Sequence, residues 1–180
     1  MIYVLLAEGF EEIEALAPVD ILRRGKVDVK TAGVGGVDVW GAHNICVKAD
    51  MRIEDIDMGS VEGIVLHGGM PGTLNLQKDE TVNKLIKHCS EKGLLIAAIC
   101  AAPMILGELG LLEGKAATCY PGFEGHLKGA ILGENPVEKT ENFITGKGPG
   151  ASFEFGRTIY DYLTGTDKGE EILSQMQYRI

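Results

Sequence analysis

The run Leu94-Leu95-Ile96-Ala97-Ala98-Ile99 is continuously apolar and of strand length, and Pro103, a residue at home in the first turn of a helix, follows almost at once. A strand apolar on both faces that leads straight into a helix is the repeating step of a parallel α/β sheet. Between the two stands Cys100. Its small neighbours Ala98, Ala101 and Ala102 leave room for a strained turn that lifts one side chain over the sheet, the geometry of a nucleophile elbow with cysteine as the nucleophile. Backbone N–H groups that open the next helix have no intrahelical partner, so they favour thiolate over thiol. The plainer reading is a small hydrophobe in a core, which is what most free cysteines are.

The same order recurs along the chain. Ile2–Ala7 reads as a buried strand and Glu8-Gly9-Phe10 as a turn. A helical pattern follows, with Ile13, Leu16, Ala17 and Ile21 on one face and Glu11, Glu12 and Glu14 in the opening turns. Glu11 and Glu12 are accounted for by the helix dipole and by solvation. Glu14 is different, because Pro18 cannot donate to its carbonyl; the helix should bend there and aim the Glu14 side chain off the regular lattice. Val27–Ala32 alternates as a second, less buried strand, and residues 33–48 suggest an excursion of short strands or a hairpin. Val61–Leu66 is a strand that delivers His67-Gly68-Gly69, where a glycine pair lets backbone N–H groups approach a ligand or oxyanion closely. Asp79–Lys92 is the clearest helix: Val82, Leu85, Ile86 and Cys89 share one face, which makes Cys89 a packing residue, and Gly93 stops it. A helix from Pro103 to Leu109 follows. Then come short strands over 115–119, 130–132 and 142–145, a break at Gly148-Pro149-Gly150, a helix over Ser152–Leu163 and a short last helix over 170–176.

Strands alternating with helices define one α/β domain over residues 1–180, with helices on both faces of the sheet and ligands expected at the strands' carboxyl ends. Glu14, Gly68-Gly69 and Cys100 all issue from such ends. Composition acts by exclusion. With Lys+Arg 17 against Asp+Glu 26, the formal charge of −9 argues against nucleic acid as the main partner. No stretch is long and apolar enough to span a bilayer, and Met1–Leu6 reads as a strand rather than a leader. The four cysteines, Cys46, Cys89, Cys100 and Cys119, show no CxxC spacing, so neither a metal site nor a disulfide framework is expected, and a reducing cytoplasm is the simplest setting.

The run from Ala7 to Glu14, followed by Pro18-Val19-Asp20 and Arg23-Arg24-Gly25, resembles the opening of the DJ-1/ThiJ/PfpI superfamily, and within it the DJ-1 clade. Gly68-Gly69, the segment Ala98–Pro103, and the segment Gly148–Phe155 match in the same order, so the resemblance covers nearly the whole chain. It implies a flavodoxin-like three-layer sandwich, a homodimer, and a cysteine that oxidises readily to sulfinate. By position it implies Cys100 as nucleophile, Glu14 as the carboxyl that hydrogen-bonds it, and the N–H groups of Gly69 and Ala101 as an oxyanion or sulfinate pocket. Glu14 is then expected to be protonated when the sulfur is charged. Many family members carry a histidine just before the proline that is Pro121 here, and this chain has Tyr120 instead. Tyrosine titrates far above neutrality and does not replace histidine as a base, but its hydroxyl can hold a substrate. His67 and Gly68 are further candidate substrate contacts, whereas His126 reads as an exposed-loop residue.

Three functions compete. The first is a cofactor-free glyoxalase or deglycase acting on reactive dicarbonyls or early glycation adducts on proteins, through a Cys100 hemithioacetal with Glu14 as proton shuttle. The second is a redox-sensing stress protein or chaperone that works through oxidation of Cys100. A cysteine hydrolase, amidotransferase-like or a PfpI-type peptidase, ranks last because it lacks the matching histidine.

Overall fold

The computed structural model describes residues 1–178. Strand β1 (Ile2–Leu6) leads to helix α1 (Glu12–Arg24) and then to β2 (Val29–Gly33). A small antiparallel hairpin of β3 (Asp38–Trp40) and β4 (Cys46–Lys48) precedes β5 (Met51–Arg52) and β6 (Gly63–Leu66). Helices α2 (Gly72–Lys78) and α3 (Glu80–Lys92) come next, followed by β7 (Leu95–Ile99) and α4 (Pro103–Glu108). The chain ends with β8 (Ala116–Ala117), β9 (Ile131–Leu132), β10 (Val137–Thr140), β11 (Phe143–Gly146), α5 (Ser152–Thr164) and α6 (Gly169–Gln175).

The central sheet has the order β10-β11-β7-β6-β1-β2-β5 and is parallel throughout except where β10 pairs with β11. From β1 the chain moves to β2 on one side and returns to β6 on the other, so the order reverses at β1 and opens a crevice at its carboxyl end. Successive β1 residues face opposite layers. Tyr3 and Leu5 pack with Leu76, Val82, Leu85, Ile105 and Leu106 from α2, α3 and α4. Ile2, Val4 and Leu6 pack with Ala15, Val19, Leu22, Phe155 and Ile159 from α1 and α5. This is the three-layer α/β sandwich. No helix among the described residues is long and apolar enough to cross a membrane.

The structure corrects the expected face of α1. Ala17 and Ile21 are buried, but Ile13 is 41 % exposed and Leu16 is only half-buried. The sheet is contacted instead by Ala15, Val19 and Leu22, at i, i+4 and i+7, while Ile21 and Pro18 lie against Gly156 of α5. This rotation turns Glu14 inward beside Ala15. The helix continues through Pro18 to Arg24. Three elements were not expected from sequence. Helix α2 is short and glycine-led, β5 has two residues, and β10 reads Val-Glu-Lys-Thr, the polar content that suits an edge strand.

The rotation of α1 is checked by a pair of truncations. Leu22→Ala should cost about 2–5 kcal/mol in urea denaturation, whereas Ile13→Ala should stay within about 0.5 kcal/mol of the parent. Equal losses would restore the other face.

Candidate active site at the sheet rim

Cys100 directly follows β7 with φ +65, a conformation that costs a non-glycine residue on the order of 1–3 kcal/mol and needs support from its surroundings. The support comes from the backbone. The Cys100 N–H donates to the Gly146 carbonyl at 2.8 Å, and the Cys100 carbonyl accepts from the Tyr120 N–H at 2.8 Å. One bond ties the elbow to the neighbouring strand and the other to the loop after β8. The sulfur side chain is left at the rim of the sheet, in a residue 9 % exposed.

Glu14 enters from α1 with no exposed surface. Its Oε2 accepts the Gly68 N–H at 2.9 Å, while Oε1 is buried without a hydrogen-bond partner. Gly68 lies where the carboxyl and the thiol meet. A Cβ there would stand 2.6 Å from Glu14 Oε2 and 2.8 Å from Cys100 Sγ, so only a hydrogen atom fits. The N–H groups of Gly69, at φ +84, and of Ala101 hydrogen-bond the sulfur. A side chain at Gly69 would strike the Gly9 carbonyl and the Glu11 nitrogen, each 2.6 Å from an added Cβ, so glycine is required here on two counts.

Burial raises Glu14 to about 7, opposed by its hydrogen bonds with Cys100 and Gly68 and assisted by the Glu11 charge. Burial also raises the Cys100 thiol to about 12, reinforced by the Glu14 carboxylate and opposed by the amides of Gly69 and Ala101. Amides do reach the sulfur, but desolvation outweighs them, and between those two values the pair as a whole holds a single proton. The oxygen that meets the sulfur across Gly68 is Oε2, which leaves the partnerless Oε1 as the carboxyl oxygen best suited to carry a proton.

His67 is not a substrate contact. It is fully buried, its Nε2 accepts the Ala7 N–H at 3.2 Å, and its Nδ1 lies 2.7 Å from the Gly68 carbonyl. Burial pushes it down to about 4, so a neutral ring with hydrogen on Nδ1 bridges the ends of β1 and β6 and fixes Gly68. His126 pairs with Glu108 of α4 at 2.8 Å, away from the elbow. Tyr120 is 45 % exposed and, with Lys147, Gly148, Pro149, Glu154 and Tyr178, lines a cleft of about 460 Å³ that begins beside the elbow; Cys100 itself is not among the lining residues.

One cluster escaped the sequence reading. Glu12 accepts the His43 backbone N–H and pairs with its Nδ1, both at 2.8 Å, and Glu11 lies 3.7 Å from the same ring nitrogen. Burial pushes Glu12 up, but its bonds to His43 outweigh this and hold it below the usual carboxylate range, while the Glu12 hydrogen bond and the Glu11 charge raise His43. These donors lie within 4.8 Å of one another and, among the described residues, form the group that could take a divalent cation. Their visible role is to clasp the hairpin onto the β1–α1 loop. No local signal could show it, because a loop histidine thirty residues away carries no motif.

The DJ-1/PfpI family model matches residues 1–161. The chain belongs to the DJ-1/PfpI family. It is 38 % identical to protein DJ-1 homolog B of Arabidopsis thaliana over 99 % of this chain and 41 % of that relative, so it spans less than half that protein's length. It is also 31 % identical to the glutathione-independent glyoxalase DJR-1.2 of Caenorhabditis elegans, over 96 % of this chain and 93 % of the relative. Among solved structures, oxidized Toxoplasma gondii DJ-1 superposes with a TM-score of 0.93 at 31 % identity, covering 99 % of this chain and 98 % of that one. In this DJ-1/PfpI chain the fold brings Glu14, Gly68, Gly69, Cys100 and Ala101 together and sets His67 behind them.

The raised Glu14 value has a consequence for stability. The folded chain prefers the neutral carboxyl, so stability is highest below the ordinary value of 4.5 and is lost as pH rises to about 7. Relative to the parent, Glu14→Gln should gain on the order of 3 kcal/mol between pH 4.5 and pH 8, read from urea denaturation at each pH. A constant difference across that range would mean that Glu14 ionises as freely in the folded chain as in the unfolded one.

Proposed function

We propose that this chain is a cofactor-independent enzyme of the glyoxalase or deglycase type, acting on α-dicarbonyls or on the adducts they form with proteins. The observation that carries the reading is the buried Glu14 carboxyl meeting the Cys100 thiol across Gly68, with amide donors on both members of the pair. When an aldehyde carbon reaches the sulfur, the thiol proton passes to Glu14 and a C–S bond forms, giving a hemithioacetal once the alkoxide is protonated. The amides of Gly69 and Ala101 have by then carried the sulfur's transient charge. Glu14, again a carboxylate, takes the proton from the former aldehyde carbon and returns one to the adjacent carbon. The first carbon is thereby oxidised to a thioester and the second reduced to an alcohol, so no external oxidant is needed. Water then cleaves the C–S bond, releasing a 2-hydroxy acid and restoring the thiol. A glyoxalase-named relative across nearly the whole chain supports this reading.

Methylglyoxal conversion to lactate should fall at least about 100-fold in Cys100→Ser and in Glu14→Gln. Gly68→Ala, which wedges a methyl between the two groups, should lose at least about tenfold. Because the competent state holds one proton on the pair, kcat/KM should rise as pH rises through about 7. Full activity in Cys100→Ala would sink the proposal, and a rate that falls through that pH would overturn the role given to Glu14.

A second reading rests on the same amides. The Gly69 and Ala101 N–H groups at the sulfur, with a protonated Glu14 opposite, suit a sulfinate, and the oxidized Toxoplasma gondii neighbour shares the fold. Mild peroxide followed by intact mass separates the two: a gain of two oxygens confined to Cys100, without dicarbonyl turnover, favours a redox role. A cysteine hydrolase is less favoured, since the ring nitrogens of His67 are both engaged. A second copy of this chain as partner and a reducing cytoplasm as setting belong to the same proposal, and sedimentation of the purified chain checks the first.

A further inference from the structure

The cleft beside the elbow is far larger than a three-carbon dicarbonyl requires. At about 460 Å³ it falls in the range of sites that enclose much larger ligands. Two backbone bonds tie its walls to the elbow. Tyr120, one of its walls, donates its backbone N–H to the Cys100 carbonyl at 2.8 Å, and Lys147 directly follows Gly146, whose carbonyl accepts the Cys100 N–H. Lys147 supplies the positive charge on this cleft, from the position just after the strand-end residue that holds the Cys100 N–H. The opposite charge comes from Glu154 in the first turn of α5.

Neither Lys147 nor Glu154 makes an ion pair among the described residues. Two opposite charges thus border one cleft without neutralising each other. Its uncharged walls are largely rings, Tyr120, Tyr178 stacked on Phe153 at 4.9 Å, and the prolines Pro121, Pro136 and Pro149, with the Gly148–Ala151 backbone between them. The ligand complementary to such a surface carries both charges on a compact body. We propose that the cleft is a subsite for the zwitterionic tail of an amino-acid or short-peptide carbonyl adduct, with Lys147 taking the carboxylate and Glu154 the ammonium. This rests on the reading of Cys100 as the reacting group and narrows its substrate class: the pair does the chemistry on the carbonyl, and the cleft selects what the carbonyl is attached to.

Binding can be read without turnover. Cys100→Ser protein is titrated calorimetrically with free alanyl-alanine and with its N-acetylated and C-amidated forms. The zwitterion should bind about tenfold more tightly than either blocked form. Lys147→Gln in the same background should erase the difference between the free and C-amidated peptides, and Glu154→Gln the difference between the free and N-acetylated ones. Equal affinities for all three peptides, absence of saturable binding by the free one, or differences that survive both substitutions would overturn the subsite. Methylglyoxal turnover by the unsubstituted chain is measured in parallel. If it is absent while the peptide pattern holds, the glyoxalase reading fails and the subsite stands; if it is present while the pattern is missing, the subsite alone fails.

Discussion

Burying a carboxyl and a thiol side by side is costly if both ionise, and the rim of this sheet is arranged around avoiding that state. Glu14 has no exposed surface and Cys100 almost none, so water can solvate neither charge well. Withholding one proton leaves a single negative charge to be accommodated, and the backbone supplies donors wherever that charge goes. On the carboxylate it meets the Gly68 N–H; on sulfur it meets those of Gly69 and Ala101. Moving the proton from one atom to the other exchanges one set of fixed dipoles for another, with little reorganisation. A preorganised polar site gains its catalytic value from this property.

The arrangement depends on holding three chain segments in register. The loop between β1 and α1 is tied on one side to the hairpin, through Gly9 N–H to the Trp40 carbonyl and Ala42 N–H to the Phe10 carbonyl, each at 2.8 Å. On its other side the Glu11 N–H reaches the Gly68 carbonyl at 3.1 Å, and Asn75 donates to the Glu8 carbonyl at 2.8 Å. The neutral His67 ring completes the link between β1 and β6. Protonating that ring would destroy the acceptor that takes the Ala7 N–H. The depressed value of about 4 therefore expresses how firmly the site's floor depends on a neutral imidazole, and stability drawn from it is present above pH 6.5 and lost as pH falls toward 4.

Much of this was legible in the sequence because the elbow is local. An apolar strand, small residues, a cysteine and a proline at helical N1 constrain one another within ten positions, and the φ of +65 at Cys100 is what that spacing demands. The long amphipathic helix α3 was equally readable, down to Asp79 capping Thr81 and Val82. What stayed hidden was set by distant partners. The face of α1 is decided by its packing on the sheet and on α5, which overrode the pattern of Ile13 and Leu16. The burial of Glu14 and of His67 follows from that packing and from strand order, not from neighbours in sequence. The pair's protonation was hidden for a related reason: spacing shows which dipoles point at a sulfur but not how much water is excluded around it.

Tyr120 gains a different meaning in this light. Its position is fixed by a backbone bond, N–H to the Cys100 carbonyl, and any residue with an amide hydrogen can make it. The side chain is then free to vary without disturbing the elbow. If Glu14 alone exchanges protons with the sulfur and with the substrate carbon, a base at position 120 has no proton left to move, and the loss of the family histidine alters the neighbouring cleft more than the chemistry. A phenol in that wall contributes an apolar face and one hydroxyl. On the proposed reading, substrate selection and proton transfer fall to different elements: the first to the loops around β8, β11 and the start of α5, the second to α1 and the ends of β6 and β7.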